Sequence, residues 1–140
     1  MKTLKVSTKI QQKECGIFIG TGLIQKISKY IDITYYSKVF IITDENAGFL
    51  FLNKLTRVIP IGFSFVELDA GEREKNIENI KKIWKAMHDA NLDRKSLVIN
   101  LGGGVISDIG GFAASTYMRG VDFINIPTTL LSMVDAGIGG

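Results

Sequence analysis

One cysteine, one histidine and two prolines are all that the 140 residues hold of those types. A lone Cys15 excludes an internal disulfide framework and fits a reducing cytoplasm. Cys15 and His88, far apart in sequence, cannot build a zinc site of the usual ligand sets. Any metal that the chemistry needs must therefore take most of its ligands from outside this chain. No apolar run approaches the ~20 residues of a membrane-spanning helix. The opening MKTLKVSTKI has no apolar signal-peptide core, so export is not expected. Basic blocks are missing too. The net charge of +3 comes from scattered residues such as Lys81, Lys82 and Lys85, without interleaved aromatics, which suits a solvated helix face and argues against nucleic-acid binding.

What remains is 46% hydrophobic and 22% charged, a globular balance, in a length that suits one domain with a proper core. Residues 3–10 alternate loosely like an edge strand, and Cys15 to Gly20 reads as a second strand closing a hairpin. Leu23, Ile24, Ile27, Tyr30 and Ile31 fall at helical spacing, which predicts a helix over 22–31 with Thr21 as its N-cap. Lys38 to Asp44 is apolar on both faces, as a central parallel strand should be, and a helix is expected from about Ala47 to Leu55. Pro60 and Gly62 mark a loop before a strand at Phe63 to Leu68. A polar loop, Asp69 to Asn76, then leads into a helix whose apolar face should carry Ile77, Ile80, Trp84, Met87 and, at its edge, His88.

The most informative stretch is Ser96 to Gly140. Leu97 to Leu101 is a short apolar run ended by Gly102, Gly103 and Gly104, and a small-residue helix over 105–117 follows. Strand, glycine turn and helix is how α/β proteins hold a phosphate, because glycines admit the anion close to backbone N–H groups at the positive end of the helix dipole. The usual dinucleotide fingerprint fits only in part. Its third glycine would fall on Ser107, and the later acid would be Asp122, which precedes rather than follows the next strand, Phe123 to Ile126. A tight turn with close packing remains the bland alternative. Gly110-Gly111 inside the helix costs about 1 kcal/mol per glycine against alanine, so very close packing on a strand, a helix or a ligand should offset it. Pro127 stops the next strand, Thr128 and Thr129 follow with free hydroxyls, and Leu130 to Val134 begins another helix.

This alternation predicts an α/β fold: a Rossmann-like, mostly parallel sheet with helices on both faces and an N-terminal β-hairpin. Right-handed crossovers would bring Asp44, Glu72, Gly103, Gly104, Thr128 and Thr129 to one sheet edge. Asp44 and Asn46 could equally serve as helix caps there.

The block GGGVISDIGGFAASTYMRGVDFINIPTTLLSMVDAGIGG closely resembles the central block of 3-dehydroquinate synthases, a family of sugar-phosphate cyclases. AGEREKN resembles that family's Gly-Glu-x-x-Lys segment, and Asp44-x-Asn46 its first nucleotide-contacting strand end. The resemblance implies an NAD- and metal-dependent lyase of the shikimate pathway. Such an enzyme converts 3-deoxy-D-arabino-heptulosonate 7-phosphate to 3-dehydroquinate and phosphate through a transient oxidation. By resemblance, Asp44, Asn46, Glu72 and Lys75 would hold adenosine and its ribose. Gly103, Gly104, Val105 and Asp108 would hold the pyrophosphate and neighbouring groups, and Thr128, Thr129 and Leu131 would line the nicotinamide side. Asp135 would contact substrate, and Arg119 would reach a substrate phosphate from the partner subunit of a homodimer. The chain departs from the family at Ser107, where glycine is common, and at Ala136-Gly137, where Ser-Ser is common. The family's pattern continues beyond residue 140 into lysines and an all-helical domain that binds zinc or cobalt. Residues 1–140 are therefore expected to be the NAD-binding part, with that C-terminal domain as partner and with no cyclase activity alone. Another sugar-phosphate cyclase, a glycerol-dehydrogenase-like polyol dehydrogenase and a non-enzymatic nucleotide-binding module are the competing readings.

Overall fold

Four apolar runs become the four strands of one parallel sheet. A computed structural model describes residues 2–7 and 14–138 of the chain. The strands are β3 (Val39–Asp44), β4 (Phe63–Leu68), β5 (Leu97–Gly102) and β6 (Asp122–Pro127), in the order β4-β3-β5-β6. The hairpin is also present: β1 (Lys2–Ser7) pairs antiparallel with β2 (Glu14–Ile19), from Lys2 opposite Ile19 to Ser7 opposite Glu14. The expected extension of the first strand to residue 10 lies outside the described residues.

Strand period and burial agree. Every residue of β5 is buried, as a strand covered on both faces requires, whereas Phe63 and Phe65 on the edge strand β4 are exposed. Alternate residues feed two cores. Phe40, Ile42 and Val98 face α3 (Ile77–Asp89) and α4 (Gly104–Thr116), packing with Ile83, Met87, Ile106 and Ala113. Val39, Ile41, Leu97, Ile99 and Leu101 face the other side, packing with Ile27, Ile33 and Leu55. Helices therefore cover both faces of the sheet.

Four expectations about helices are corrected. The predicted helix over 22–31 is a shorter 3₁₀ helix, Ile24–Lys29, and Leu23 rather than Thr21 is its N-cap, with no side-chain cap bond. Ile24, Ile27 and Tyr30 recur every three residues, which suits three residues per turn. The helix after β3 begins at Glu45 rather than Ala47: α1 (Glu45–Ala47) runs through a π-helical stretch, Gly48–Leu52, into α2 (Asn53–Thr56). It starts early because the Asp44 carboxylate caps it. On α3 the buried positions are Ile80, Ile83 and Met87, while Ile77 and His88 are exposed. His88 stands about 100° round the helix from Met87, which carries it off the core face. The small-residue helix opens one residue earlier than expected and stops at Thr116, ahead of a 3₁₀ turn, Tyr117–Arg119.

The glycine pair in α4 has a packing explanation. A Cβ at Gly110 would lie 2.0 Å from Asn100 Oδ1, because Asn100 fills the space between β5 and α4. Asn100 is fully buried, and its Oδ1 has no hydrogen-bond partner among the described residues. An orphaned buried carbonyl costs about 1–3 kcal/mol, so close packing at this glycine carries a penalty as well as a gain.

Candidate functional site

Strand order places the crevice. After β3 the chain steps outward to β4, then returns to the opposite side of β3 for β5 and β6. The reversal falls between β3 and β5, and open α/β sheets bind ligands at this switch point, outside the carboxyl ends of the strands. Asp44 ends one of these strands and Gly102 the other. They are joined just beneath by the buried Thr43 hydroxyl, which donates to the Leu101 carbonyl at 2.8 Å.

On the β5 side, Gly103 is the N-cap of α4 and supplies no side-chain cap, so the N–H groups of the first turn are left for solvent or ligand. Each glycine answers to a different neighbour. A Cβ at Gly102 would lie 2.6 Å from the Ile106 side chain, and one at Gly103 would lie 3.2 Å from Thr129 Cγ2. At Gly104 the nearest atom would be Ala136 Cβ at 3.9 Å, an ordinary contact. Packing within the chain does not demand a glycine at 104, and the space that a side chain would fill lies beside the free N–H groups.

On the β3 side, Asp44 Oδ1 accepts from the N–H groups of Asn46 and Ala47, both at 2.9 Å. Asp44 is thus a cap. Its Oδ2 has no protein partner among the described residues, and the Asn46 side chain is exposed. The loop after β4 folds over this end. The Ala70 N–H donates to Glu45 Oε1 at 3.4 Å, and Lys75 Nζ bridges Glu72 Oε1 at 2.9 Å and Asp108 Oδ2 at 2.8 Å. The Asp108 carboxylate first, then Glu72, raises the Lys75 pKa above the ordinary lysine value. The structure therefore joins Glu72 and Lys75, from the loop after β4, with Asp108, from the second turn of α4, in one charged cluster beside the glycine turn. Phe49 and Leu50, exposed on the π-helical stretch, line a shallow depression with Glu45 and Asn46. Spacing gave no reason to single out these two apolar residues.

On the β6 side, the Thr128 N–H donates to the Gly102 carbonyl at 2.9 Å. Thr129 caps α5 (Leu130–Val134) by accepting from the Ser132 N–H at 3.2 Å. Leu131 is exposed, as is Asp135 at the C-cap of α5. Val105 sits in the first turn of α4. All these positions share one sheet edge. Arg119 does not: it follows the far end of α4, whose 13 residues rise about 20 Å. Met118 and Arg119 there have φ of 50° and 72°, a strained left-handed pair for non-glycine residues. Among the described residues no three His, Cys, Asp or Glu side chains converge as a metal-ligand set, so the residues present do not fit a metal.

Fold and site together define a parallel α/β domain with a phosphate-type glycine turn at its switch point. The family profile described as 3-dehydroquinate synthase N-terminal matches residues 65–140, and the chain belongs to that family. A 3-dehydroquinate synthase of Clostridium botulinum (strain Alaska E43 / Type E3) is 43% identical over 144 residues, covering 100% of this chain and 41% of that protein. The chain thus spans about two-fifths of that curated relative. Among solved structures, 2-deoxy-scyllo-inosose synthase complexed with carbaglucose-6-phosphate, NAD+ and Co2+ superposes with a TM-score of 0.87 at 18% identity, over 96% of this chain and 38% of that one. That likeness concerns the fold alone. ValA, the 2-epi-5-epi-valiolone synthase of Streptomyces hygroscopicus subsp. jinggangensis 5008 with NAD+ and Zn2+ bound, gives a TM-score of 0.78 at 27% identity, over 94% of this chain and 37% of that one.

Proposed function

We propose that this chain is the NAD⁺-binding part of a 3-dehydroquinate synthase, which acts on 3-deoxy-D-arabino-heptulosonate 7-phosphate in aromatic amino-acid biosynthesis. The observation that carries the reading is the open, uncapped glycine turn at Gly103-Gly104, placed at the switch point beside Asp44. Family membership, and a 27%-identical solved structure with NAD+ bound, support it.

NAD⁺, when bound, would supply the transient oxidation of a substrate hydroxyl. The chain's own residues bind and orient. Backbone N–H groups of Gly104 and Val105 receive the pyrophosphate, and the positive end of α4 favours its charge. Asp44, with one carboxylate oxygen free, and Asn46 receive the adenosine ribose. Lys75, held by Glu72 and Asp108, sets the charge beside the pyrophosphate. Thr128, Thr129 and Leu131 border the nicotinamide side, and Asp135 faces the substrate. The exposure of Arg119 and its separation from this edge support a role across a subunit boundary in a homodimer, where its fork suits a phosphate. Zinc or cobalt would be held by a C-terminal helical domain, the partner of this one. A single cysteine and no long apolar run suit a cytoplasmic enzyme.

Calorimetric titration of NAD⁺ into the chain tests the reading. Binding is expected, and it should be lost in Gly104→Val and weakened in Asp44→Ala. A folded chain that ignores NAD⁺, or a Gly104→Val variant that binds as well as the parent, would refute the assignment of this crevice.

A further inference from the structure

Two buried-side amides are not used by the nucleotide reading. Asn100 interrupts the otherwise apolar face that β5 turns toward α4, and Asn125 lies opposite it on β6. Asn100 Nδ2 donates to Asn125 Oδ1 at 2.9 Å. The same carboxamide of Asn125 then donates through Nδ2 to the Gly137 carbonyl at 3.3 Å. Gly137 in turn donates its N–H to the Ser132 carbonyl at 2.7 Å. Ser132 lies with its hydroxyl 3.1 Å from that of Ser107 on α4, and both residues are buried. Its N–H is the donor to Thr129 Oγ1.

The turn over 135–137 is thus tied from two directions: to the sheet through the amide pair, and to α4 through the paired hydroxyls. Sterics tighten it further. A Cβ at Gly137 would lie 2.5 Å from the Ser132 carbonyl and 3.4 Å from the Pro127 ring, so the turn sits hard against the end of β6. An apolar pair would have filled the space under α4 without leaving Asn100 Oδ1 orphaned. Buried polar links of this kind select one arrangement among several that apolar packing would tolerate.

We infer that Asn125, oriented by Asn100, is a positioning residue that sets the 135–137 turn, and with it Asp135 and Thr129, against the glycine turn between β5 and α4. The consequence for the ligand rests on the proposed function; the positioning does not.

Amide hydrogen exchange, measured with urea stability and NAD⁺ titration, tests it on the parent chain and two variants. Asn125→Asp keeps the acceptor for Asn100 but has no donor for Gly137. Asn125→Gln keeps both groups on a longer stem. In Asn125→Asp, exchange across 132–138 should speed about ten-fold or more while the amides of β3 and β5 keep their protection. Asn125→Gln should stay within about three-fold of the parent. If the parent binds NAD⁺, Asn125→Asp should weaken it about three- to ten-fold. Unchanged exchange in Asn125→Asp overturns the inference. So does acceleration by one common factor throughout the chain, the mark of a merely structural residue. A parent that fails to bind NAD⁺ refutes the proposed function instead, and the exchange pattern still decides the positioning role.

Discussion

Two neighbouring glycines should respond to the same substitution with opposite signs. Gly110 and Gly111 both lie inside α4, where alanine is preferred by about 1 kcal/mol over glycine at a helix interior. Helix propensity alone makes Gly110→Ala and Gly111→Ala equally stabilising. The surroundings differ. A Cβ at Gly111 would meet the Phe123 ring at 3.5 Å, an ordinary contact, whereas one at Gly110 would lie 2.0 Å from Asn100 Oδ1. Asn100 cannot turn away cheaply, because it is fully buried and bonded to Asn125. Overpacking of this kind costs about 1–3 kcal/mol, and displacing the amide forfeits roughly another 1 kcal/mol of hydrogen bonding. Against the propensity gain, Gly110→Ala should be destabilised by about 1–3 kcal/mol, which for a domain of this size lowers the melting temperature by roughly 3–10 °C. Gly111→Ala should rise by up to about 1 kcal/mol. Urea unfolding followed by Trp84 fluorescence and circular dichroism reads both. Adding Asn100→Ala to Gly110→Ala removes the collision and should recover most of the loss. A Gly110→Ala chain as stable as Gly111→Ala would refute the packing account of this helix.

Other outcomes follow from the same geometry. Asp44→Ala removes the cap of α1 and should cost about 1 kcal/mol in urea unfolding, whatever its effect on ligand binding. Lys75 has its pKa raised by Asp108 and Glu72. Its contribution to stability is therefore complete below the ordinary 10.5 and lost as pH climbs through the higher folded value. Unfolding curves of Lys75→Met should accordingly fall less steeply above pH 10.5 than those of the parent; parallel curves would dismiss the ion pair as a contributor. Arg119→Ala, remote from the crevice, should leave NAD⁺ affinity of this chain unchanged, and a several-fold loss would place Arg119 in the nucleotide site instead.

The alternation of strand and helix, the glycine turn after β5 and the cap at Asp44 were legible from residue order, because each depends on neighbours a few positions away, whereas Thr129, expected with a free hydroxyl, instead caps α5. Apolar runs declared β3 and β5 as central strands, since strands covered on both faces carry no polar alternation. Short-range pattern also misled where tertiary contact intervened. The three-residue spacing of Ile24, Ile27 and Tyr30 passed for an α-helix, and His88 passed for a core-edge residue although Met87 alone takes the core at that turn. The strand order β4-β3-β5-β6 is a different matter. Residues at 44 and 102 become neighbours only because the chain reverses direction across β3, and no local pattern records that choice. The same holds for Lys75 meeting Asp108, and for Asn100 meeting Gly110 and Asn125. Sequence by itself determined the elements and the chemistry at their ends. Packing across the sheet decided which of those ends face one another, because side chains distant in sequence share a space only once the strands have paired.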